Sequence, residues 1–315
     1  MGVTFYSIAE ANSRKTFFLI FFFFILLGLI GFLVDYFYLR FPHKFSFPLF
    51  TSIAVFIATV QSLVSYYQGD KIILHSLGAR PLNLESIKET TLLNVVEEMS
   101  IAAGIPRPRV YIIDSDAPNA CAVGRDPQHA SICVTSSLLD LLNREELQGV
   151  IGHEIAHIRN RDILTMTITA ALLGAIIILC EIGWRLQYVR GYEGEEEEEG
   201  VGSRAGCLFF ILFIFFLIVA PIIAKLVFLA VSRSREYIAD AHSAMFTRNP
   251  LALASALEKI AKAPAVKLGS AATAHLFIAD PLKRAIGESE GFWADLWSTH
   301  PPIQKRIELL KQMAI

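Results

Sequence analysis

Two histidines one helical turn apart lie near the middle of the 315-residue chain, and a glutamate follows the first of them. The pentapeptide reads His153-Glu-Ile-Ala-His157. On a helix, the i, i+4 spacing puts both imidazoles on one face, where they can bind one tetrahedral zinc ion. Glu154 is close enough to reach a water on the metal without binding the ion itself. The spacing therefore supplies two metal ligands and a base.

The flanking residues predict the helix that this chemistry needs. Asn143 and Glu146 have the spacing of a capping box, in which each side chain bonds the backbone N–H at the other position. An apolar stripe at helical spacing follows, formed by Leu147, Val150, Ile151, Ile155 and Ile158. The alternative interpretation is two solvated histidines on an ordinary amphipathic helix.

A catalytic zinc needs a third protein ligand and an open position for water. The C-terminal block offers five candidates, namely Glu236, Asp240, His242, His275 and His300. We predict that Glu236 is the ligand and that Asp240, one turn further on, accepts the outer N–H of a ligating histidine. Surface carboxylates paired with Arg233 or Arg235 are the alternative. His75, His129, His242 and His275 are interpreted as ordinary polar or core histidines.

Upstream of the histidines, the pattern predicts a helix followed by short strands. Apolar residues recur at helical spacing over residues 92–103, and Gly104 and Pro106 end that helix. Three β signals follow, at 110–113, 120–123 and 131–135, with a turn-rich segment between the last two. We predict a small antiparallel sheet.

The composition indicates a membrane protein, because 54% of the residues are hydrophobic and only 18% are charged. Four uncharged runs have the length of a membrane-spanning helix, at 16–34, 46–67, 163–180 and 205–224. The last two could instead form a hydrophobic hairpin packed on the rest of the protein. Lysine and arginine near the span ends are more numerous on the side of the two polar blocks, which predicts that both blocks are cytoplasmic.

Other features of the composition exclude some classes of function. A net charge of −2 provides no basic field for nucleic acid, so no nucleic-acid partner is expected. The four cysteines lack the spacing of a metal knuckle or a disulfide scaffold. The acidic run at 193–199 has the composition of a solvated connector, and its role remains open.

The ordered motifs resemble those of the HtpX family of membrane zinc endopeptidases, which are gluzincins. Besides H-E-I-A-H, they are S-R-x-x-E-Y-x-A-D at 232–240, Ser-Thr-His-Pro-Pro at 298–302 followed by Arg306, and Pro-Asn-Ala-Cys-Ala-Val-Gly at 118–124. The similarity covers essentially the whole chain. It extends more loosely to eukaryotic prenyl-protein and mitochondrial quality-control proteases.

The resemblance implies zinc binding by His153, His157 and Glu236, with Glu154 as general base. It also implies that Asn119 lies in an edge strand that pairs with the substrate backbone, and that His300 stabilises the oxyanion. From the residues alone, Asn119 could instead begin a turn and His300 could cap a helix. Cys121 stands where relatives often have an aromatic residue, which leaves the contact at that position open.

We therefore predict an α+β membrane protein, with a mainly helical, zincin-like metalloprotease domain, a small antiparallel sheet and up to four hydrophobic spans. The predicted parts are two N-terminal spans (1–67), a first peptidase part (68–162), a hydrophobic hairpin (163–231) and a second peptidase part (232–315).

The predicted function is zinc-dependent cleavage of protein substrates. The resemblance implies misfolded or damaged membrane proteins as substrates, in the plasma membrane of a prokaryote, with one Zn²⁺ per chain. The rivals are a prenyl-protein processing peptidase and a transporter or receptor with a structural zinc site.

Overall fold

A computed structural model describes residues 47–164, 235–263, 276–279 and 301–314, together with single positions between 18 and 36. Of these, residues 65–164 and the three later ranges belong to one compact unit, and residues 18–36 and 47–64 belong to a second. The fold described below is that of the first unit. The four-part division made from the sequence remains a prediction.

The described elements alternate helices and short strands before the C-terminal helices. In chain order they are α1 (Leu49–Ser76), β1 (Arg80–Pro81), α2 (Ile87–Ala103), β2 (Arg109–Ile113), β3 (Ala120–Gly124), β4 (Ala130–Thr135), α3 (Ser136–Leu141), α4 (Arg144–Arg159), α5 (Pro250–Lys262) and α6 (Ile303–Gln312). Residues 235–247 are also helical. The three strands predicted from the sequence are β2, β3 and β4.

The sheet is mixed, and the prediction of an antiparallel sheet was wrong. Its strand order is β1-β2-β4-β3, with β2 parallel to β4 and the other two pairs antiparallel. The turn-rich segment between β3 and β4 closes a hairpin, as the sequence indicated. However, β3 does not pair with β2, which precedes it in the chain. Instead, β4 lies between β2 and β3 and runs parallel to β2. This order leaves β3 at the edge.

Local signals define the ends of the two helices that flank the sheet. The Ser86 side chain accepts the Glu89 N–H at the start of α2, and Gly104 ends that helix in the left-handed region with φ 68°. The capping box at the start of α4 is confirmed, because Asn143 and Glu146 bond each other's backbone N–H groups. The capping box fixes the start of the HExxH helix, which begins at Arg144, directly after the predicted cap Asn143.

Side chains of the sheet pack into two separate cores. Ala120 and Ala122 of β3 face a large core against α2, α4, α5 and α6. Cys121 and Val123 face a smaller core with α1 residues, including Leu74. The alternation follows the two-residue period of a strand. Small residues on the first face allow α4 to lie close to β3, and α4 carries the candidate site.

No single helix among the described residues is long and apolar enough to cross a membrane. Leu49–Val64 and Tyr66–Ser76 have the length and apolar content of a span only when they are taken together as one bent pair. This pair overlaps the predicted span at 46–67. The predicted spans at 163–180 and 205–224 lie almost wholly outside the described residues, as does the acidic run at 193–199, and the span at 16–34 is described only at scattered positions.

Candidate metal centre and active site

Three side chains from two helical segments converge in the interior. His153 and His157 come from α4, and Glu236 comes from the 235–247 helix. Their nearest ligand atoms all lie within 4.8 Å of one another, and all three residues are buried. The structure therefore brings the predicted third ligand, Glu236, to the two predicted histidine ligands, although it lies far from them in the chain.

The spacing of the donor atoms suits a small tetrahedral ion. The two Nε2 atoms are 3.2 Å apart, and the Glu236 carboxylate oxygens lie 3.7 Å from His153 Nε2 and 3.5 Å from His157 Nε2. Donors about 2.0–2.1 Å from a tetrahedral zinc ion would be roughly 3.3–3.4 Å apart. Two imidazoles and one carboxylate also form a ligand set that is typical of catalytic zinc. The residues thus fit the metal implied by the sequence.

Each of the two predicted histidine ligands has its own carboxylate partner, on the ring nitrogen that faces away from the metal position. His153 Nδ1 lies 2.9 Å from Asp240 Oδ1, in the arrangement expected from the sequence. His157 Nδ1 lies 3.2 Å from Asp162 Oδ2, a partner that the sequence analysis did not propose. Such carboxylates fix the ring tautomer and leave Nε2 facing the ion.

Asp162 follows a short break in the helical conformation just after α4. Asn160 ends the helix, and Arg161 adopts a left-handed conformation with φ 59°. Asp162 is buried and also lies 3.4 Å from Arg235 Nε. A positive φ at a non-glycine residue is uncommon, but nothing in the sequence marks Arg161 as such a position.

Arg306 joins the metal centre to the rest of the interior. Its guanidinium binds Asp240 through two hydrogen bonds of 2.8 and 2.7 Å, and its Nη1 lies 3.4 Å from Glu236 Oε2. The sequence analysis noted Arg306 only as part of a motif. Its partner Asp240 lies 66 residues away in the chain, so local spacing could not indicate this pairing. The one local signal at Arg306 is its place in α6, shortly after the Pro-Pro pair.

Glu154 is buried beside the metal position and next to β3. Burial raises the pKa of Glu154 to about 8, the charge of Glu236 acts in the same direction, and His157 and Arg306 oppose them. The position and raised pKa of Glu154 suit a group that accepts and returns a proton near neutral pH.

The two ligating histidines differ in protonation behaviour because their surroundings differ. Burial lowers the pKa of His153, against the opposing effect of Asp240. Burial also acts to lower the pKa of His157, but the hydrogen bond to Asp162 and the charge of Glu236 outweigh it and raise the pKa to about 9. A metal ion bound at Nε2 would compete with the proton at His157.

Asn119 immediately precedes β3 and is buried. Its backbone N–H donates to Thr135 Oγ1 at 2.8 Å, and its side chain bonds the backbone of Ala279. His300 lies outside the described residues, so its predicted role remains a prediction. Of the histidines interpreted as ordinary, His242 bonds Asn160 and His129 bonds Asp126, whereas His275 lies outside the described residues.

A helical domain that carries HExxH on one helix and a glutamate ligand on another defines the class of the protein, a metallopeptidase. Residues 86–314 match the family model of peptidase family M48. A Protease HtpX homolog from Thermoanaerobacter pseudethanolicus is 42% identical over 313 residues, covering 99% of this chain and 99% of that protein. Another, from Pyrococcus furiosus, is 44% identical over 267 residues, covering 84% and 86%. The chain therefore belongs to peptidase family M48, among the HtpX proteases.

Among solved structures, the chain is similar to the crystal structure of S. mikatae Ste24p, with a TM-score of 0.53 and 20% identity. The match covers 90% of this chain and 62% of the Ste24p chain. At that identity the similarity shows the fold alone. It agrees with a mostly helical peptidase fold around a small sheet.

Proposed function

We propose that this metalloprotease is a membrane-anchored, zinc-dependent endopeptidase that degrades misfolded or damaged membrane proteins at the cytoplasmic face of a prokaryotic plasma membrane. The observation that carries the catalytic part is the convergence of His153, His157 and Glu236 with Glu154 beside them. The membrane part rests on the four uncharged runs in the sequence and on the distribution of positive charge.

His153, His157 and Glu236 would hold the metal, and Asp240 and Asp162 would orient the two imidazoles. A zinc ion bound there supplies Lewis acidity toward the scissile carbonyl and lowers the pKa of a bound water. Glu154 accepts the proton of the attacking water and returns it to the leaving nitrogen. Glu154 lies on α4, which packs against β3, and a substrate backbone would lie along the edge of that strand.

The substitution Glu154→Gln separates binding from catalysis. We expect zinc content near one ion per chain, measured by atomic emission, and a loss of casein cleavage of at least about 10²-fold, because the base is lost while the ligands remain. Glu145→Gln is the matched control, since Glu145 lies exposed in the first turn of the same helix. Cleavage by Glu154→Gln at the wild-type rate would refute the mechanism.

The rival functions give different results in the same assays. A structural zinc site predicts bound zinc with no peptidase activity in the wild type and no effect of Glu154→Gln. A prenyl-protein processing peptidase predicts that a prenylated C-terminal peptide is cleaved much faster than casein or an unfolded membrane protein. The proposed function predicts chelator-sensitive cleavage of the unfolded membrane protein without a prenyl group.

The proposed topology is tested separately from the chemistry. We propose that residues 1–67 anchor the chain, that 163–231 form the hydrophobic hairpin, and that 68–162 and 232–315 face the cytoplasm. In a variant whose four native cysteines are replaced by alanine, single cysteines introduced at exposed Glu97 and Glu308 should be protected from an impermeant thiol reagent in intact cells and react after permeabilisation. Labelling in intact cells would overturn the orientation.

A further inference from the structure

A short piece of the chain already lies along the outer edge of β3. Residues 276–279, Leu-Phe-Ile-Ala, form an antiparallel bridge between Phe277 and Cys121, and the Ile278 N–H donates to the Ala120 carbonyl at 2.9 Å. We refer to these four residues as the inner segment. Because β3 is the edge strand of the sheet, this is the side on which a further strand can add.

Asn119 binds the backbone of the inner segment from the same side. Its Nδ2 donates to the Ala279 carbonyl at 2.8 Å, and its Oδ1 accepts the Ala279 N–H at 3.3 Å. A side-chain amide that bonds both backbone groups of one residue recognises a peptide backbone whatever its side chains. Asn119 is the residue for which the sequence predicted contact with a substrate backbone.

Arg306 connects the inner segment to the metal centre. Its Nη1 donates to the Ile278 carbonyl at 2.9 Å and lies 3.4 Å from Glu236 Oε2. The N–H and carbonyl groups of both Ile278 and Ala279 are therefore bonded to β3, Asn119 or Arg306. Arg306 thus contacts both the backbone of the inner segment and the predicted ligand Glu236.

The side chains of the inner segment occupy apolar sites on the two sides of β3. Leu276 and Phe277 are buried in the smaller core with Cys121 and Leu74. Ile278 and Ala279 are buried in the main core. A peptide bound in this way would place one pair of consecutive residues in the smaller core and the next pair in the main core, so that successive large apolar residues suit both.

We propose that the inner segment occupies the position of the substrate on β3, and that substrates are extended stretches with successive large apolar residues that displace it. The Ala120 carbonyl and the Asn119 amide cannot bond two strands in the same place, so substrate and inner segment exclude each other. Apolar stretches become available when a membrane protein unfolds. This inference rests on the proposed function and adds the substrate class and a restraint within the fold.

A reversible crosslink tests the exclusion in the full-length protein. Phe277→Cys places a thiol directly opposite Cys121, where the Cα separation of an antiparallel pair, about 4.5–5.5 Å, permits a disulfide. Cys133→Ala is included because Cys133 also lies opposite Cys121, on β4. Oxidation with diamide removes one hydrogen from each thiol, forms the S–S bond and reduces diamide to the hydrazine. The Cys133→Ala single variant receives the same treatment as the matched control.

We expect the oxidised double variant to cleave an apolar reporter peptide at least 100-fold more slowly than its reduced form, with full recovery in dithiothreitol and unchanged zinc content. The cleavage rate of the Cys133→Ala control should fall less than twofold on oxidation. Intact mass confirms the crosslink and an uncut chain. Equal cleavage in both redox states, with the crosslink complete, would overturn the inference and leave the proposed function standing. Absence of cleavage by the wild type and by the reduced variant would instead refute the proposed function.

A competition experiment tests the substrate class without altering the protein. A free peptide with the sequence of residues 274–281 should inhibit cleavage of the reporter peptide competitively. The same peptide with aspartate in place of Phe277 and Ile278 should inhibit at least tenfold more weakly, because both apolar sites would then receive a charge. Equal inhibition by the two peptides would overturn the apolar preference.

Discussion

Arg306 and Asp240 form a fully buried, bidentate ion pair directly behind the first metal ligand. The two hydrogen bonds measure 2.8 and 2.7 Å, and the same carboxylate lies 2.9 Å from His153 Nδ1. Arg306 holds the pKa of Asp240 below its usual value, although burial alone would raise it. The carboxylate is therefore charged when it accepts the histidine N–H, which strengthens the ligand.

Asp240→Asn should weaken zinc binding by about 10–100-fold, because the histidine loses a charged acceptor. The folded state should also be destabilised by about 3–5 kcal/mol, since the buried Arg306 guanidinium loses its bidentate carboxylate partner. Zinc affinity is measured by competition with a fluorescent indicator, and folding by circular dichroism. Asp140→Asn is the control, because the Asp140 carboxylate is exposed. Wild-type zinc affinity in Asp240→Asn would contradict the role of this pair.

Asp162→Asn tests the second ligand in the same way. The Asp162 carboxylate is the partner of His157, and an amide that replaces it cannot carry the charge that favours the ring N–H. We expect zinc to dissociate about tenfold faster in the presence of a chelator, with the helix content retained. An unchanged dissociation rate would show that Asp162 does not support the ligand.

Glu146→Gln should lower stability at neutral pH and much less in acid. The Glu146 carboxylate accepts hydrogen bonds from the Asn143 N–H, Ser255 and Lys259 at 2.7–2.9 Å. Burial acts to raise the pKa of Glu146, but these bonds outweigh it and the pKa is lowered. The folded pKa is thus below the unfolded value of about 4.3, so the contribution is complete above that pH and is lost as the pH falls through the folded pKa.

At pH 7, Glu146→Gln should lower the free energy of unfolding by about 1–3 kcal/mol, which is measured as a lower thermal midpoint. The difference in thermal midpoint between wild type and variant should shrink steadily as the pH is lowered below about 4. Glu145→Gln, at an exposed neighbouring position, should change the midpoint little at any pH. A gap independent of pH would contradict the ionised pairing.

Gly149→Ala should destabilise the contact between α4 and α5. A Cβ at Gly149 would lie 2.9 Å from the Leu253 Cα, a backbone atom that cannot move without shifting α5. We expect a loss of about 1–3 kcal/mol in stability from overpacking. Gln148→Ala on the same helix is the control, since its side chain bonds only the Glu98 carboxylate at the surface. Equal thermal midpoints for the two variants would refute the steric argument.

The local chemistry of the site could be predicted from the sequence because it lies within one helix. His153, Glu154 and His157 are positioned by the 3.6-residue period of α4, and Asn143 and Glu146 define where that helix starts. The hairpin of β3 and β4 likewise follows from apolar runs on either side of a turn. Each of these features depends on residues a few positions apart, where spacing determines geometry.

The tertiary structure decided what surrounds these residues. The contacts made by the Asp162 carboxylate and the Arg306 guanidinium, and the parallel pairing of β2 with β4, could not be predicted from local spacing. The inner segment is the clearest case, because the bonds from Asn119 to Ala279 join residues 160 positions apart. Contacts at such separations depend on how packed layers are arranged rather than on local period. The sequence alone therefore predicted the metal ligands and the base, whereas only the fold showed which side chains surround them and that the inner segment lies against β3.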